Sequence, residues 1–140
     1  MAKGQGGQKQ NGAKDADSPA TDGTSEKTQA SKKRLQISPE GRVIESYNLE
    51  YLLQVITLST DGKTPERATV RFTSDKPVSI YDATDGSVIA ANVTFHRLDT
   101  GTEGIRDIKI VPQGPNKLER KIRFMHPTTT ESVEKALRFR

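Results

Sequence analysis

ATVRFTS, residues 68–74, alternates strictly: Ala68, Val70 and Phe72 on one side, Thr69, Arg71 and Thr73 on the other. A period of two puts successive side chains on opposite faces of a β-strand. Apolar residues on only one of those faces predict a half-buried antiparallel strand. Asp75-Lys76-Pro77 is read as its break, and Val78–Tyr81 as a short second strand ended by Asp82-Ala83-Thr84-Asp85-Gly86. This stretch decides the fold class, because the same rhythm recurs on both sides of it.

Towards the C-terminus, Ser87–Leu98 is a long strand with Ile89, Ala91, Val93 and Phe95 expected inward. A Gly-rich loop over 99–104 leads to Ile105–Val111, with Ile108 and Ile110 on one face. After the turn Pro112–Asn116, Leu118, Ile122 and Phe124 are expected inward, with Arg120, Lys121 and Arg123 among their polar neighbours. For the last segment two readings stand. Thr128–Glu131 matches a helix capping box, while Val133, Leu137 and Phe139 alternate as a strand. The strand is favoured, as a hairpin partner for Leu118–Met125.

Towards the N-terminus, YLLQVITLST, residues 51–60, is the most apolar run and is apolar on both faces, which predicts a central strand. Leu35 and Ile37 alternate before the turn Ser38–Gly41, and Val43-Ile44 follows it. Seven or eight short strands separated by Gly, Pro and Asp turns predict an all-β domain, a β-sandwich, over residues 35–140.

Residues 1–34 differ in kind. They contain no Val, Ile, Leu, Phe, Tyr or Trp, and such a segment cannot bury enough apolar area to offset its backbone entropy. They are expected to form a disordered basic arm. Lys3, Lys9, Lys14, Lys27, Lys32, Lys33 and Arg34 stand against Asp15, Asp17, Asp22 and Glu26, so the arm carries 7 − 4 = +3 of the net +4. The domain is nearly neutral. Lys32, Lys33 and Arg34, where arm meets domain, are the candidate partner-binding residues, suited to an acidic protein surface or to phosphate.

The chemistry on offer is slight. The absence of Cys excludes disulfides and thiolate zinc sites. The two histidines, His96 in a strand and His126 before Pro127, stand in no nucleophile, metal-protease or phosphate-loop motif, so no enzyme and no cofactor are expected. Asp61, the pair Asp82 and Asp85, and the group Asp99, Glu103 and Asp107 lie in loops that offer oxygen to calcium, without EF-hand spacing. Asn92-Val93-Thr94 spells a glycosylation sequon inside a strand and is taken as chance. With the phenylalanines assigned to the core, no aromatic platform for bases or sugars is expected. No apolar run has membrane-spanning length and no secretory signal precedes the domain, so membrane partners are not expected. A cytoplasmic or virion location is.

The stretch Ala68–Ile80, a strand ending in Phe-Thr-Ser-Asp-Lys-Pro followed by Val-Ser-Ile, resembles the middle strands of bacterial immunoglobulin-like domains, which recur in surface adhesins and phage virion proteins. The resemblance implies a single immunoglobulin-like sandwich used for display, adhesion or spacing, with no catalytic residues. A single domain without an export signal departs from the adhesins and points to the phage side. The function expected is therefore a non-catalytic structural or binding module, a phage virion accessory or decoration protein docked through its arm on a capsid or tail. The alternatives are a cytosolic adaptor that binds a protein, and nucleic-acid binding through the basic arm.

Overall fold

The computed structural model describes residues 33–140. The disordered arm expected over residues 1–34 therefore lies outside the described residues up to Lys32. Eight strands follow one another: β1 Leu35–Ser38, β2 Val43–Ser46, β3 Tyr51–Thr57, β4 Thr69–Asp82, β5 Val88–Asp99, β6 Ile105–Pro112, β7 Glu119–Met125 and β8 Ser132–Phe139. No helix forms among the described residues, and the C-terminal segment is strand.

The strands make one mixed sheet in the order β1-β3-β6-β4-β7-β8-β2, with β5 on the other edge of β4. All neighbours are antiparallel except β2 and β8. The sheet curls into a half-barrel, whereas the sequence led to a two-sheet immunoglobulin-like sandwich. The difference begins at Asp75-Lys76-Pro77. These residues bend β4 without ending it, so one 14-residue strand replaces the two expected. Its first half, Arg71–Ser74, pairs with β7, and its second half, Val78–Asp82, pairs with β6. Pro77 has no amide to donate, and it stands where one neighbour has ended and the next begins, so no ladder bond is lost. A strand that changes neighbours through a bend turns the sheet's corner.

Inside the curl lie Leu35, Tyr51, Leu53, Val55, Val70, Phe72, Val78, Ile80, Leu98, Ile108, Ile110, Ile122, Phe124 and Leu137, all buried. Phe72 and Phe124 are direct cross-strand partners whose ring centres lie 5.3 Å apart. The central place expected for residues 51–57 is right, since β3 pairs on both edges, but Leu52 on its outer face is 64% exposed.

Three inward assignments are overturned, at Ala91, Phe95 and Leu118, and Ile89 and Val93 are only partly buried. Phe95 is 44% exposed. Asn92, with a φ of 55°, adopts the left-handed conformation, and the β4–β5 register shifts between the Thr73–Phe95 and Val78–Val93 pairs. The shift breaks the alternation through Val93 and Phe95, so His96 and Leu98 take the inner side after it. Leu118, at 60% exposed, ends before β7 begins. The next inward position, Arg120, is buried in its place.

Phe124→Ala should cost about 3–5 kcal/mol in urea unfolding, as a large ring removed from a packed core does. Phe95→Ala should change stability by less than about 0.5 kcal/mol. Equal losses at the two positions would contradict the register described.

Candidate functional site

Of the three cations at the domain's start, Lys33 is exposed and Lys32 lies outside the described residues. Arg34 belongs to the domain. Its amide donates to Glu131 Oε1 at 2.9 Å and its Nε to the Leu58 carbonyl at 2.9 Å, and its Nη2 lies 3.4 Å from Glu66 Oε2. Its side chain is only 15% exposed. The structure thus does not present Arg34 as a free cation beside Lys33.

His126 sits in the same corner. Its Nδ1 accepts the amides of Thr128 at 3.1 Å and Thr129 at 3.3 Å, which leaves the ring proton on Nε2. That nitrogen is buried without a partner among the described residues. Burial, and secondarily the charge of Arg34, push the imidazole below its ordinary pKa and hold it neutral. His96, half-buried, is lowered by burial and then by Arg106. Among the described residues neither ring is hydrogen-bonded to a side-chain hydroxyl.

The acidic loops direct their oxygens at their own backbone. Asp61 accepts from Ser59 Oγ, the Lys63 and Thr64 amides and Thr64 Oγ1, and these bonds hold its carboxyl well below the usual range. Asp82 accepts the Thr84 amide and the Arg106 guanidinium, Asp85 the Ser87 amide, and Asp99 the Arg67 guanidinium and the Gly101 amide. These are Asx turns, the commonest use of Asp in such loops. Glu103 and Asp107 line an open hollow of about 350 Å³ with Asp82 and Arg106.

One buried cation has a role that sequence reasoning missed. Among the described residues Arg120 donates only to backbone carbonyls: Nε to Pro77 at 3.2 Å, Nη1 to Glu119 at 2.9 Å and to Asn116, and Nη2 to Gln113. These carbonyls ring the gap where β6 and β7 part along β4. A guanidinium, with five donors in a fixed plane, satisfies several at once. The signal was available, since Arg120 shares the parity of Ile122 and Phe124. Nearby, burial raises the pKa of the Tyr51 hydroxyl, against the opposing charge of Arg120. Lys135 does a similar task at the other end, donating to the Pro39 and Gly41 carbonyls at 3.0 and 2.7 Å.

The open chemistry lies on the outer face of β5, β4, β7 and β8. Strand partners share a face, so one row reads Arg97, Arg71, Met125, Ser132 and the next Phe95, Thr73, Arg123, Glu134. The Arg97 guanidinium lies 5.3 Å from the centre of the exposed Phe95 ring. Beside these rows runs an open trough of about 620 Å³, lined among others by Arg42, Thr73, Asp75, Lys121, Arg123 and Glu134. Sequence alternation had Arg71 outward but had placed Phe95 inside, so this constellation was not foreseen.

Arg120→Met should lower stability by about 1–3 kcal/mol, because it takes their guanidinium donors from the half-buried Pro77 and Gln113 carbonyls at the bend; Arg120→Lys should recover only part of the loss. Guanidinium chloride unfolding of the variants checks this. His126 has its folded pKa below the ordinary 6.5, so the unfolded chain takes up the proton first. Its contribution is therefore complete above about pH 6.5 and is lost as the pH falls from there towards the folded pKa. His126→Asn keeps an acceptor for the two amides and removes the titration. It should flatten the decline of the thermal midpoint between about pH 6.5 and 5.

Comparison with protein-family models, with curated proteins and with solved structures finds no match, so the site stands on its own geometry.

Proposed function

We propose that this chain is a non-catalytic structural or binding module, an accessory or decoration protein of a phage virion, which docks through its N-terminal residues on a capsid or tail surface. The immunoglobulin-like kinship behind the virion assignment is part of this proposal. The observation that carries it is the division of charge. From Leu35 on, 15 basic and 14 acidic residues nearly cancel. Much of that charge is used internally, as in Arg67–Asp99, Arg106–Asp82, Arg123–Glu134 and Arg138–Glu119. The excess positive charge sits before Leu35, in residues with no large apolar side chain to contribute to a core. A partner with an acidic, repeating surface would engage those residues many times over, and many weak contacts give firm attachment. On this reading the protein resides in the virion, or in the cytoplasm before assembly, and uses no cofactor.

A second reading, a cytosolic adaptor, is favoured by β5. This 12-residue strand pairs with β4 on one edge and with no strand on the other among the described residues. Such an edge suits a protein partner that adds a strand.

Deleting Met1–Lys32 should leave cooperative unfolding intact and abolish incorporation into particles, read by mass spectrometry of purified virions. Reversing Lys32 and Lys33 should give a partial, salt-sensitive loss. Arg34 is left unchanged, because its bonds belong to the fold. Full occupancy by the truncated chain would place docking on the sheet instead.

A further inference from the structure

The outer face of β4, β5 and β7 carries an arrangement that folding alone disfavours. Arg71 and Arg97 are direct cross-strand partners. Like charges set opposite each other on one face destabilise a sheet. Nearby acids do not relieve them. Asp99, two residues along the strand from Arg97, pairs with Arg67, and Glu134, in the next row, pairs with Arg123. Among the described residues no carboxylate lies within ion-pair distance of Arg71 or Arg97. Phe95 stands one row away on the same face, exposed, with the Arg97 guanidinium against its ring. Met125 borders Arg71 on the other side.

From this geometry we infer that the face is a binding site for single-stranded nucleic acid. Arg71 and Arg97 take backbone phosphates, and Phe95 with the Arg97 plane stacks a base. The trough past Thr73, Lys121 and Arg42, lined also by Asp75 and the Arg123–Glu134 pair, carries the strand onward across β7 and β8 towards β2. An acidic peptide would satisfy the same arginines. It would have no use for an aromatic ring held beside them, whereas every base has a face to stack. Phosphates spaced along a flexible backbone also match cations standing on neighbouring strands. The site is independent of how the N-terminal residues dock.

The test uses the full chain and a fluorescein-labelled oligothymidylate of about 12 nucleotides, followed by anisotropy across a salt series. Arg71→Gln with Arg97→Gln should weaken binding tenfold or more. It should also flatten the slope of log affinity against log salt by about 1.4, which is two phosphate contacts at ~0.7 each. Phe95→Ala should weaken binding about fivefold or more and leave the slope unchanged. Arg71→Glu, which turns a repelling pair into an attracting one, should raise the thermal midpoint of the free protein while lowering affinity. That opposite movement separates a lost contact from a damaged fold. Three results overturn the proposal. One is no binding at low salt. Another is undiminished binding by the Gln double variant, which assigns the oligonucleotide to the N-terminal lysines. The last is equal competition by polyglutamate together with no effect of Phe95→Ala, which makes the face a docking surface for an acidic protein.

Discussion

The fold depends on one edge of β4 serving two neighbours. β6 occupies that edge along Val78–Asp82 and β7 along Arg71–Ser74. Where the two part, the carbonyls of Pro77, Gln113, Asn116 and Glu119 turn towards a shared gap. Pro77 and Gln113 are half-buried, and a carbonyl shielded from water without a donor costs about 1–3 kcal/mol. The Arg120 guanidinium fills the gap and binds all of them, and the Gln113 amide adds a bond of 3.0 Å to Pro77. Burying a cation without a carboxylate is expensive, but a ring of carbonyl dipoles offsets much of that cost. The curl of the sheet, and so the shape of both its faces, follows from this joint.

Another part of the sheet is tied by short-range bonds of a different kind. Thr57 Oγ1 lies 2.6 Å from the Glu66 carbonyl and 2.8 Å from Thr100 Oγ1, and the Thr57 amide donates to the Gly104 carbonyl at 2.9 Å. The packing is tight enough that a Cβ on Gly104 would lie 2.5 Å from the Glu66 amide nitrogen. With a φ of +70°, that position is reserved for glycine on two counts. Arg34 joins this corner to the β7–β8 turn through Glu66, Leu58 and Glu131. The entry of the chain into the domain is therefore fixed in place. His126 completes the corner as a neutral acceptor, which makes it sensitive to acid.

The two faces of the sheet are under different constraints. The inner face is apolar apart from Arg120 and the Tyr51 hydroxyl, which is buried without a partner among the described residues. The outer face keeps Arg71 opposite Arg97 and leaves Phe95 in water, a combination that packing would not select. A curled sheet hosts many functions, and what distinguishes one from another is the chemistry set on its surface. Here that chemistry consists of planar cations with no carboxylate partner among the described residues, one aromatic ring and a trough leading away from them.

The period-two alternation decided the all-β class, because side chains on a strand must alternate. Most of the core was legible for the same reason: Val70, Phe72, Ile108, Ile110, Ile122 and Phe124 are buried as their parity requires. The division of apolar content and charge near residue 34 was equally local, and needed no structure. Parity fails wherever the backbone departs from a regular strand. The left-handed Asn92 and the register shift beside it turned Phe95 outward, and no alternation rule contains that bulge. Whether Asp75-Lys76-Pro77 ends a strand or bends it depends on which neighbours wait on either side, and pairing between distant segments is not written in any one of them. The burial of Arg120 followed its parity, but a charged residue is assigned inward only when its partners are known. Those partners are carbonyls from two stretches of chain, Pro77 and residues 113–119. The outer-face site has the same origin: Arg71, Phe95, Arg97 and Arg123 are scattered along the sequence, and only the register of β4 with β5 and β7 sets them side by side.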